Sequence, residues 1–493
     1  MTLRARLALS ALSGVLAALA FPAPGIWMLA FVAWAPFLIA VGRGGAWAGA
    51  LCGAAAGFTF FAVLLRFLAP ITLAGWLALS AWLAIFIMIV GALGALFLRG
   101  PRVVRVLVPV VWVAAEWARG QLSAGFEWGA MGYALAAAPS LAQLAAVGGV
   151  PILSLGILAA NLAAARAVEA ASRSAWRQAV AGLMATFAPV GALAALGLLV
   201  PGATIVGALR VAVVDAAIDP HAKWTDSGIW AAMTRHSALT DSIAAQAPAV
   251  ILWPETAIPT PLEAPGTTMA IRTRALERRV AEVWRAPLLV GIPATVPGNP
   301  EAYWNAVALV SPDSGTAIVH RTRNLVPFGE YSPHPTLARV VPGPAFIAGD
   351  GGPAAQVAGA RVGILICFDD VTPHQALERA ADADVLAVVT NDAWFGDVGA
   401  AQHHAIAVLR AIETRRSIAR AANGGVSGAI DPSGRTIMDA RRGPVALVVD
   451  VPRASGMTLY ARAPDVIPVL SLVLVALALV LTRRRSTVRP ARS

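Results

Sequence analysis

Long apolar stretches alternate with short arginine-containing segments over the first 200 residues and again near the end of the chain. The stretches cover residues 7–22, 26–42, 45–65, 70–98, 103–118, 141–165, 179–200 and 464–482. Since a membrane-spanning helix needs about 20 apolar residues, each stretch predicts one span. The first stretch could instead be a secretory signal. Residues 21–25 leave little room for a cleavage site, however, and their Pro and Gly favour a helical hairpin. The pattern therefore predicts about eight transmembrane helices.

The arginines fall mostly on one side of this predicted arrangement. If the N-terminus is cytoplasmic, fourteen arginines lie in cytoplasmic segments and only Arg66 and Arg119 lie in the opposite short loops. This asymmetry sets the orientation by the positive-inside rule. An even number of spans then places both termini in the cytoplasm and residues 203–460 on the outer face. The fourteen are Arg4, Arg6, Arg43, Arg99, Arg102, Arg105, Arg166, Arg173, Arg177, Arg483, Arg484, Arg485, Arg489 and Arg492.

Residues 203–460 have a different pattern, in which short β-branched runs alternate with helical stretches. The runs cover 209–214, 250–253, 288–292, 306–310, 362–367, 385–390 and 445–451. Apolar strands that alternate with helices are typical of an α/β domain with buried sheets. The chain is thus predicted to have a seven-helix membrane domain (1–202), an extracytoplasmic α/β domain (203–460), and a last transmembrane helix with a basic cytoplasmic tail (461–493).

Composition agrees with a membrane protein and excludes other classes. The chain is 58% hydrophobic and 13% charged, against about 25% charged in soluble proteins. A net charge of +11 could suggest nucleic acid, but arginine clusters between apolar stretches are topology signals, so no nucleic-acid partner is expected. Cys52 and Cys367 lie in a span and a strand, so no disulfide is expected. No cofactor or metal is predicted, since adjacent His403 and His404 do not share a helix face.

Three segments of the α/β region place reactive side chains at strand ends or in an apolar loop. Glu255 follows the strand that ends at Trp253, and Cys367 ends the strand 362–367. Glu330 lies in the apolar loop 325–331, where a carboxylate needs a partner or its pKa rises. Each has an ordinary explanation: a solvated glutamate, a core cysteine or a loop anchor. Together they predict a nucleophile and a base at the carboxyl ends of the strands, where α/β sites form.

A fourth segment, 389–396, follows another strand and carries Asn391, Asp392 and Trp394. Its ordinary explanation is a turn in which Asn and Asp cap the backbone. With residues 253–255, 325–331 and 366–369, it resembles the carbon–nitrogen hydrolase (nitrilase) superfamily. The membrane segments, with residues 112–119, 125–128 and 132–133, extend the likeness over the whole chain, which resembles the bacterial apolipoprotein N-acyltransferases.

The resemblance implies a four-layer αββα domain on the periplasmic face of a bacterial inner membrane. It also implies a two-step acyl transfer, in which a cysteine thiolate takes a fatty acyl chain from a phospholipid as a thioester. The acceptor is the α-amine of the diacylglyceryl-cysteine of an apolipoprotein. Carried over by position, Cys367 is the nucleophile, Glu255 the general base and Glu330 a supporting carboxylate. Trp394, near the lipid entrance, and Phe368 and Asp369, which follow the cysteine, are the expected substrate-binding residues.

The sequence departs from the family at one catalytic position, where Thr322 stands in place of a lysine. The flanking Arg321 and Arg323 would point to the opposite side of an extended chain. Lys223 is the only lysine in the sequence and matches a different family position, so no rescue is expected from it. Three interpretations follow: an acyltransferase with a rewired oxyanion site, a relative that acts on another amine or amide, or an inactive paralogue that binds lipid or lipoprotein.

A transporter is the alternative from another class, because transporters carry ionisable residues within their spans. Glu116 lies in a predicted span with Arg119 one turn later on the same face. A structural pair is the favoured interpretation, since transport does not explain a large α/β domain.

Overall fold

A computed structural model describes residues 1–262, 268–331, 345–441 and 443–487 of the chain. The chain divides into two compact units, one formed by Met1–Pro201 with Arg462–Ser493 and the other by Gly202–Ala461. We call them the membrane unit and the α/β unit. Of the predicted basic tail, residues 488–493 lie outside the described part of the chain.

The α-helices are, in chain order, α1 (Leu3–Ala18), α2 (Ala35–Gly42), α3 (Ala46–Leu64), α4 (Leu73–Arg99), α5 (Arg102–Arg105), α6 (Val108–Leu122), α7 (Ala145–Ala171), α8 (Trp176–Gly197), α9 (Asp226–Ile243), α10 (Thr268–Arg278), α11 (Pro373–Ala381), α12 (Gly396–Thr414), α13 (Leu459–Arg462) and α14 (Val466–Thr487).

Five helices of the described chain are long and apolar enough to cross a membrane: α3, α4, α7, α8 and the first 18 residues of α14. The other three predicted spans correspond to shorter elements. Helix α1 has 16 residues and α6 has 15, while residues 26–42 form a 3₁₀ turn followed by the eight-residue α2. Helix length therefore supports about five spans, and the predicted count of eight is not confirmed.

Small residues allow the helices of the membrane unit to pack closely. A Cβ atom added to Gly49 of α3 would lie 2.3 Å from the carbonyl oxygen of Gly91 on α4, so only glycine fits this contact. Buried polar groups find partners. The side chain of Asn161 on α7 donates to the carbonyl of Ala30 at 2.7 Å and accepts from the amide of Trp34 at 2.7 Å.

Glu116 and Arg119 of α6 hold the chain that follows this helix. The Glu116 carboxylate accepts hydrogen bonds from Trp112 Nε1 at 3.1 Å and from the Met131 amide at 2.9 Å. The Arg119 guanidinium donates to the backbone carbonyl of Trp128 and, at 3.3 Å, to that of Glu127. Both charged groups thus have backbone partners, which favours the structural interpretation over a transport site.

The strands of the α/β unit are β1 (Thr204–Asp215), β2 (Val250–Leu252), β3 (Leu288–Val296), β4 (Asn299–Ser311), β5 (Gly315–Arg321), β6 (Ala345–Phe346), β7 (Ala355–Val357), β8 (Ala360–Ile366), β9 (Val385–Thr390), β10 (Ser417–Ala422), β11 (Val426–Ile430), β12 (Thr436–Arg441) and β13 (Val445–Ser455). They form two sheets. The first has the order β13-β1-β2-β3-β4-β5, with β6 beside β4, and the second has the order β12-β11-β10-β9-β8-β7.

The two sheets stack face to face between layers of helices. Apolar side chains of β1 and β2, such as Val213 and Leu252, share one core with those of β8 and β9, such as Ile364 and Val389. The opposite face of the first sheet packs on α9 and α10, and the outer face of the second sheet packs on α11 and α12. The α/β unit is therefore an αββα sandwich.

Strands β8, β9 and β10 are parallel, and in the other sheet β2 is parallel to both β1 and β3. Every residue of β9 and β10 is buried, as is typical of strands covered on both faces. Polar residues follow the carboxyl ends of β2, β8 and β9, and these strand ends build the site described next.

Candidate active site

Cys367 lies on a strained turn immediately after β8. The strand ends at Ile366, and Cys367 begins a 3₁₀ turn with a φ of +45°. A left-handed conformation is costly for a residue with a side chain, and such strain is common at functional positions. The half-buried thiol interacts with the Glu255 carboxylate and with Thr390 at the end of β9. The predicted nucleophile and base are thus neighbours.

Glu255 reaches the thiol from a tight turn after β2. Its side chain is 8% exposed, and the next residue, Thr256, has a φ of +46°. The turn packs against Gly291 of β3, where an added Cβ atom would lie 2.5 Å from the Glu255 Cα. Any other residue at position 291 would displace the carboxylate that faces Cys367.

Asn305 of β4 joins the two predicted carboxylates. Its side-chain amide donates to Glu255 Oε1 at 2.7 Å and to Glu330 Oε1 at 2.8 Å. The other oxygen of Glu330 accepts from the backbone amide of Val326 at 2.8 Å, so the loop 325–331 folds around its own glutamate. Sequence reasoning missed Asn305. The signal was a polar side chain at the start of the apolar run 306–310, but its partners required the pairing of β3 with β4.

The charges of the site favour a neutral thiol at rest. Burial and then the charge of Glu255 raise the pKa of Cys367 well above its ordinary value. Burial also raises the pKa of Glu255, while the hydrogen bond from Asn305 lowers it. Burial and the nearby Glu255 raise the pKa of Glu330 to about 8. Burial and the charge of Glu255 therefore favour the neutral thiol at rest, and the attacking thiolate forms as the proton leaves.

Thr322, at the position of the missing lysine, is buried and hydrogen-bonded within the site. Its hydroxyl donates to Asp369 Oδ1 at 2.8 Å, and its amide donates to the carbonyl of Asn305 at 2.9 Å. The second oxygen of Asp369 accepts from the amide of Ile366 at 3.0 Å. This pair links β5 to the cysteine turn and brings no positive charge to it.

The two arginines beside Thr322 lie elsewhere. Arg321 stacks on Trp304, at 4.8 Å from the ring centroid, and pairs with Asp350. Arg323 donates to Glu378 at 2.8 Å and to the Asp350 carbonyl. Both side chains are engaged by surface partners, so the expected alternation along the extended chain is confirmed, and neither arginine replaces the lysine.

Lys223, from which no rescue was expected, lies close to Glu255 and Cys367. It lies in the 3₁₀ turn Ala222–Trp224 and is 2% exposed. Its ammonium donates to the hydroxyl of Thr256, the residue that follows Glu255, and its charge acts on both Glu255 and Cys367. The sequence could not reveal this, because more than 140 residues separate Lys223 from Cys367 in the chain.

The three residues predicted to bind substrate differ in exposure. Trp394 is 36% exposed and contacts the ring of His221, with 4.8 Å between centroids. Phe368 and Asp369 are buried at 7% and 1% exposure, directly after the cysteine. The geometry leaves Trp394 accessible and gives Asp369 a role in holding the turn. Substrate contact by all three stays a prediction.

A buried ionic cluster lies next to the cysteine turn. His403 of α12 lies 2.7 Å from Asp370 and 2.7 Å from Asp392, and Arg420 of β10 donates to Asp392 at 2.9 Å. Burial alone would lower the pKa of His403, but the two aspartates outweigh it and raise the value to about 9. The Asp370 amide donates to the Cys367 carbonyl at 3.2 Å, which ties the cluster to the nucleophile.

This cluster was also missed in the sequence. The available signal was a set of charged side chains inside apolar segments, since buried charges must be paired.

A cysteine and a carboxylate at strand ends of an αββα sandwich define a carbon–nitrogen hydrolase, and the carbon-nitrogen hydrolase family model matches residues 210–457. The model of the apolipoprotein N-acyltransferase N-terminal domain matches residues 13–163. Two relatives, both apolipoprotein N-acyltransferases, match most of the chain. The one from Geobacter metallireducens is 33% identical over 86% of this chain and 85% of its own. The one from Gloeobacter violaceus is 32% identical over 96% and 94%. The chain belongs to the apolipoprotein N-acyltransferase family.

Among solved structures, an amidase from Nesterenkonia sp. is 20% identical, covers 53% of this chain and 95% of its own, and has a TM-score of 0.39. At that score the likeness supports no conclusion about this chain.

Proposed function

We propose that this chain transfers a fatty acyl group from a phospholipid to the N-terminal diacylglyceryl-cysteine of apolipoproteins, with Cys367 as the acyl carrier. One observation carries the proposal. The Cys367 thiol and the Glu255 carboxylate meet on strand ends of the α/β unit, in a chain whose two halves both match the family. The relatives bear the name of this activity.

The first half-reaction moves the acyl group onto the enzyme. The sulfur of Cys367 attacks the ester carbonyl carbon of the phospholipid while the thiol proton passes to Glu255. The carbonyl oxygen takes the electron pair and then returns it, the C–O bond breaks, and the lysophospholipid oxygen receives the proton from Glu255. The products are a thioester on Cys367 and a lysophospholipid. Asn305 holds the carboxylate in place throughout.

The second half-reaction releases the acyl group to the lipoprotein. The α-amine of the diacylglyceryl-cysteine attacks the thioester carbon and gives a proton to Glu255. The C–S bond breaks, and the sulfur recovers that proton. A new amide and a neutral Cys367 thiol result, so the enzyme is ready for another phospholipid. Glu330 serves as the supporting carboxylate, fixed by the same Asn305 amide.

Membrane attachment suits this chemistry, because both substrates are lipids whose chains cost about 0.8 kcal/mol per CH₂ to transfer into water. We place the α/β unit on the periplasmic side of a bacterial inner membrane. The support is the arginine asymmetry, which alternates consistently only if α1, residues 26–42 and α6 also cross. The eight-span topology is part of the proposal.

Thr322 does not by itself argue for an inactive protein. The position is filled by a buried, hydrogen-bonded residue, and Cys367 still interacts with Glu255, its proposed base. An active enzyme is therefore favoured over a paralogue that only binds lipid. Phe368, Asp369 and Trp394 are the proposed contacts to the substrates.

The test is acyl transfer by the full chain in detergent or vesicles, with a phospholipid labelled in its acyl chain and a diacylglyceryl lipopeptide. The expected product is the lipopeptide with a third, amide-linked labelled chain, identified by mass spectrometry. The matched control is the same lipopeptide with an acetylated α-amine, which should receive no label. Transfer to the blocked lipopeptide, or no transfer to the free amine, would overturn the proposed acceptor.

A further inference from the structure

We propose that Lys223 supplies the positive charge of this active site, in place of the lysine that the chain lacks at position 322. This inference rests on the proposed function and names a residue that the family pattern does not assign to that role. Lys223 acts through its field on Glu255 and Cys367, so it is a positioning residue rather than one that touches the reacting carbonyl.

The sequence makes Lys223 a special case, because it is the only lysine among 493 residues, whereas arginines abound. A lysine that is 2% exposed must be paired, since an isolated buried ammonium is very unfavourable. Lys223 is accordingly surrounded by acidic groups.

The ammonium is fixed by neighbours of the catalytic pair. It donates to the hydroxyl of Thr256 and lies 3.4 Å from the carbonyl of the same residue. With the Asn391 amide oriented to suit its surroundings, the amide oxygen accepts from Lys223 at 3.0 Å and from Trp394 Nε1 at 3.1 Å. The backbone of Asn391 also lies close enough to Glu255 to lower the pKa of that carboxyl. Lys223 thus contacts both segments that hold the base.

Acidic groups face Lys223 from three elements: Asp215 at the end of β1, Glu255 after β2, and the Cys367 thiol after β8. His236 of α9 is also near, since burial and, to a smaller extent, the charge of Lys223 lower its pKa. Burial lowers the pKa of Lys223 to about 8, while Glu255, Cys367 and Asp215 act to raise it. The ammonium therefore stays charged at neutral pH and lowers the pKa of Glu255.

This charge has a definite task in the first half-reaction. Glu255 must be ionised to accept the thiol proton, and burial works against ionisation. A nearby cation favours the carboxylate, and it also stabilises the sulfur as negative charge builds on it. The arginine and histidine of the buried cluster do not serve, because Asp392 and Asp370 engage them.

Thiol alkylation tests the inference without any lipid substrate. In a Cys52→Ala, Glu330→Gln background, Cys367 is the only thiol and the titration of Glu330 is removed. The rate of reaction of the full, detergent-solubilised chain with iodoacetamide is measured from pH 6 to 10. Lys223→Met should lower the rate at pH 7 by about 10-fold or more, since an opposite charge nearby shifts a pKa by about 1–3 units. Lys223→Arg, the matched control, should stay within about 3-fold, because its charge is kept.

Rescue separates a charge effect from a loss of structure. Adding Thr322→Lys to Lys223→Met should restore part of the lost rate, since the Thr322 side chain bonds to Asp369 beside the cysteine turn. If the methionine variant does not fold, Lys223→Arg alone tests the inference. The unmodified lysine should give the alkylation profile a bend near pH 8, where it loses its charge. In Lys223→Arg this bend should be absent, because arginine stays charged. An unchanged profile in folded Lys223→Met, or a bend that persists with arginine, would overturn the inference.

These outcomes differ from those that test acyl transfer. If the alkylation rate of Cys367 depends on Lys223 but the protein transfers no acyl group, the proposed function is refuted and the role of Lys223 stands. Acyl transfer at the normal rate in Lys223→Met would overturn the inference and leave the proposed function intact.

Discussion

Asn305→Leu removes the amide that holds both carboxylates of the site. The side chain is 3% exposed and donates to Glu255 at 2.7 Å and to Glu330 at 2.8 Å. A hydrogen bond to a charged group contributes about 1.5–3 kcal/mol. If the whole contribution of the bond to Glu255 is lost from the stabilisation of the transition state, acyl transfer should slow by about 10- to 150-fold.

The pH dependence of this variant carries the sharper signature. The Asn305 bond lowers the pKa of Glu255, so its removal should raise that pKa. Because the proposed base Glu255 can accept a proton only when it is ionised, the acid limb of the rate profile should move to higher pH. The assay is acyl transfer to a diacylglyceryl lipopeptide between pH 5 and 9.

Asn299→Leu is the matched control, since Asn299 lies on the same strand but is exposed. It should keep the rate and the profile of the unmodified protein. An Asn305→Leu variant that folds and keeps its acid limb would refute the view that this amide tunes the base.

Three further predictions concern the surroundings of the site. His403→Gln should lower the free energy of unfolding by about 3–5 kcal/mol, because it leaves buried carboxylates unpaired. The control His404→Gln removes a neutral imidazole with a pKa near 3 and should lower the free energy of unfolding clearly less. Equal shifts in melting temperature for the two variants would contradict the ionic cluster. Folding raises the pKa of Glu330 from 4.5 to about 8, so its contribution to stability is full below pH 4.5 and is lost as pH rises to about 8. Melting curves should show this loss, and Glu330→Gln should remove it; a Glu330→Gln variant with the same pH dependence would argue against it. Arg323→Ala breaks an exposed pair with Glu378 and should change stability by less than about 1 kcal/mol with activity unchanged; a large loss of activity would mean that Arg323 serves the site.

The positions of Glu255 and Cys367 could be predicted because they depend on local pattern. Each follows a short apolar run, and the ends of such runs in an α/β fold gather at one edge. Alternation along an extended chain likewise predicted that Arg321 and Arg323 point away from the side of Thr322, and their partners Asp350 and Glu378 agree. Such inferences need only a period of two and a strand boundary.

Lys223 and Asn305 could not be predicted because their partners are remote in sequence. Lys223 meets the turn after β2 across the fold, and Asn305 reaches two carboxylates that come from different loops. Neither contact leaves a periodic trace in the chain. The protonation state of Cys367 could not be predicted either, since it depends on burial and on the charges of Glu255 and its neighbours.

The span count shows a different limit. Hydropathy predicted one span over the apolar stretch 103–118. The structure instead has the short helix α5 there, followed by α6, which begins at Val108 and has 15 residues. Residues 26–42 are broken by a 3₁₀ turn before α2. Apolar composition predicts burial in lipid or protein, and it does not fix the length of the helix that forms.

Trapping of the acyl group tests the central claim most directly. The purified chain is incubated with a phospholipid labelled in its acyl chain, without acceptor, and treated with neutral hydroxylamine, which cleaves thioesters. Label should be found on the protein and released by hydroxylamine, with Cys52→Ser unchanged and Cys367→Ser unlabelled. Hydroxylamine-sensitive label that persists in Cys367→Ser, or its absence from the unmodified protein, would contradict a thioester on Cys367.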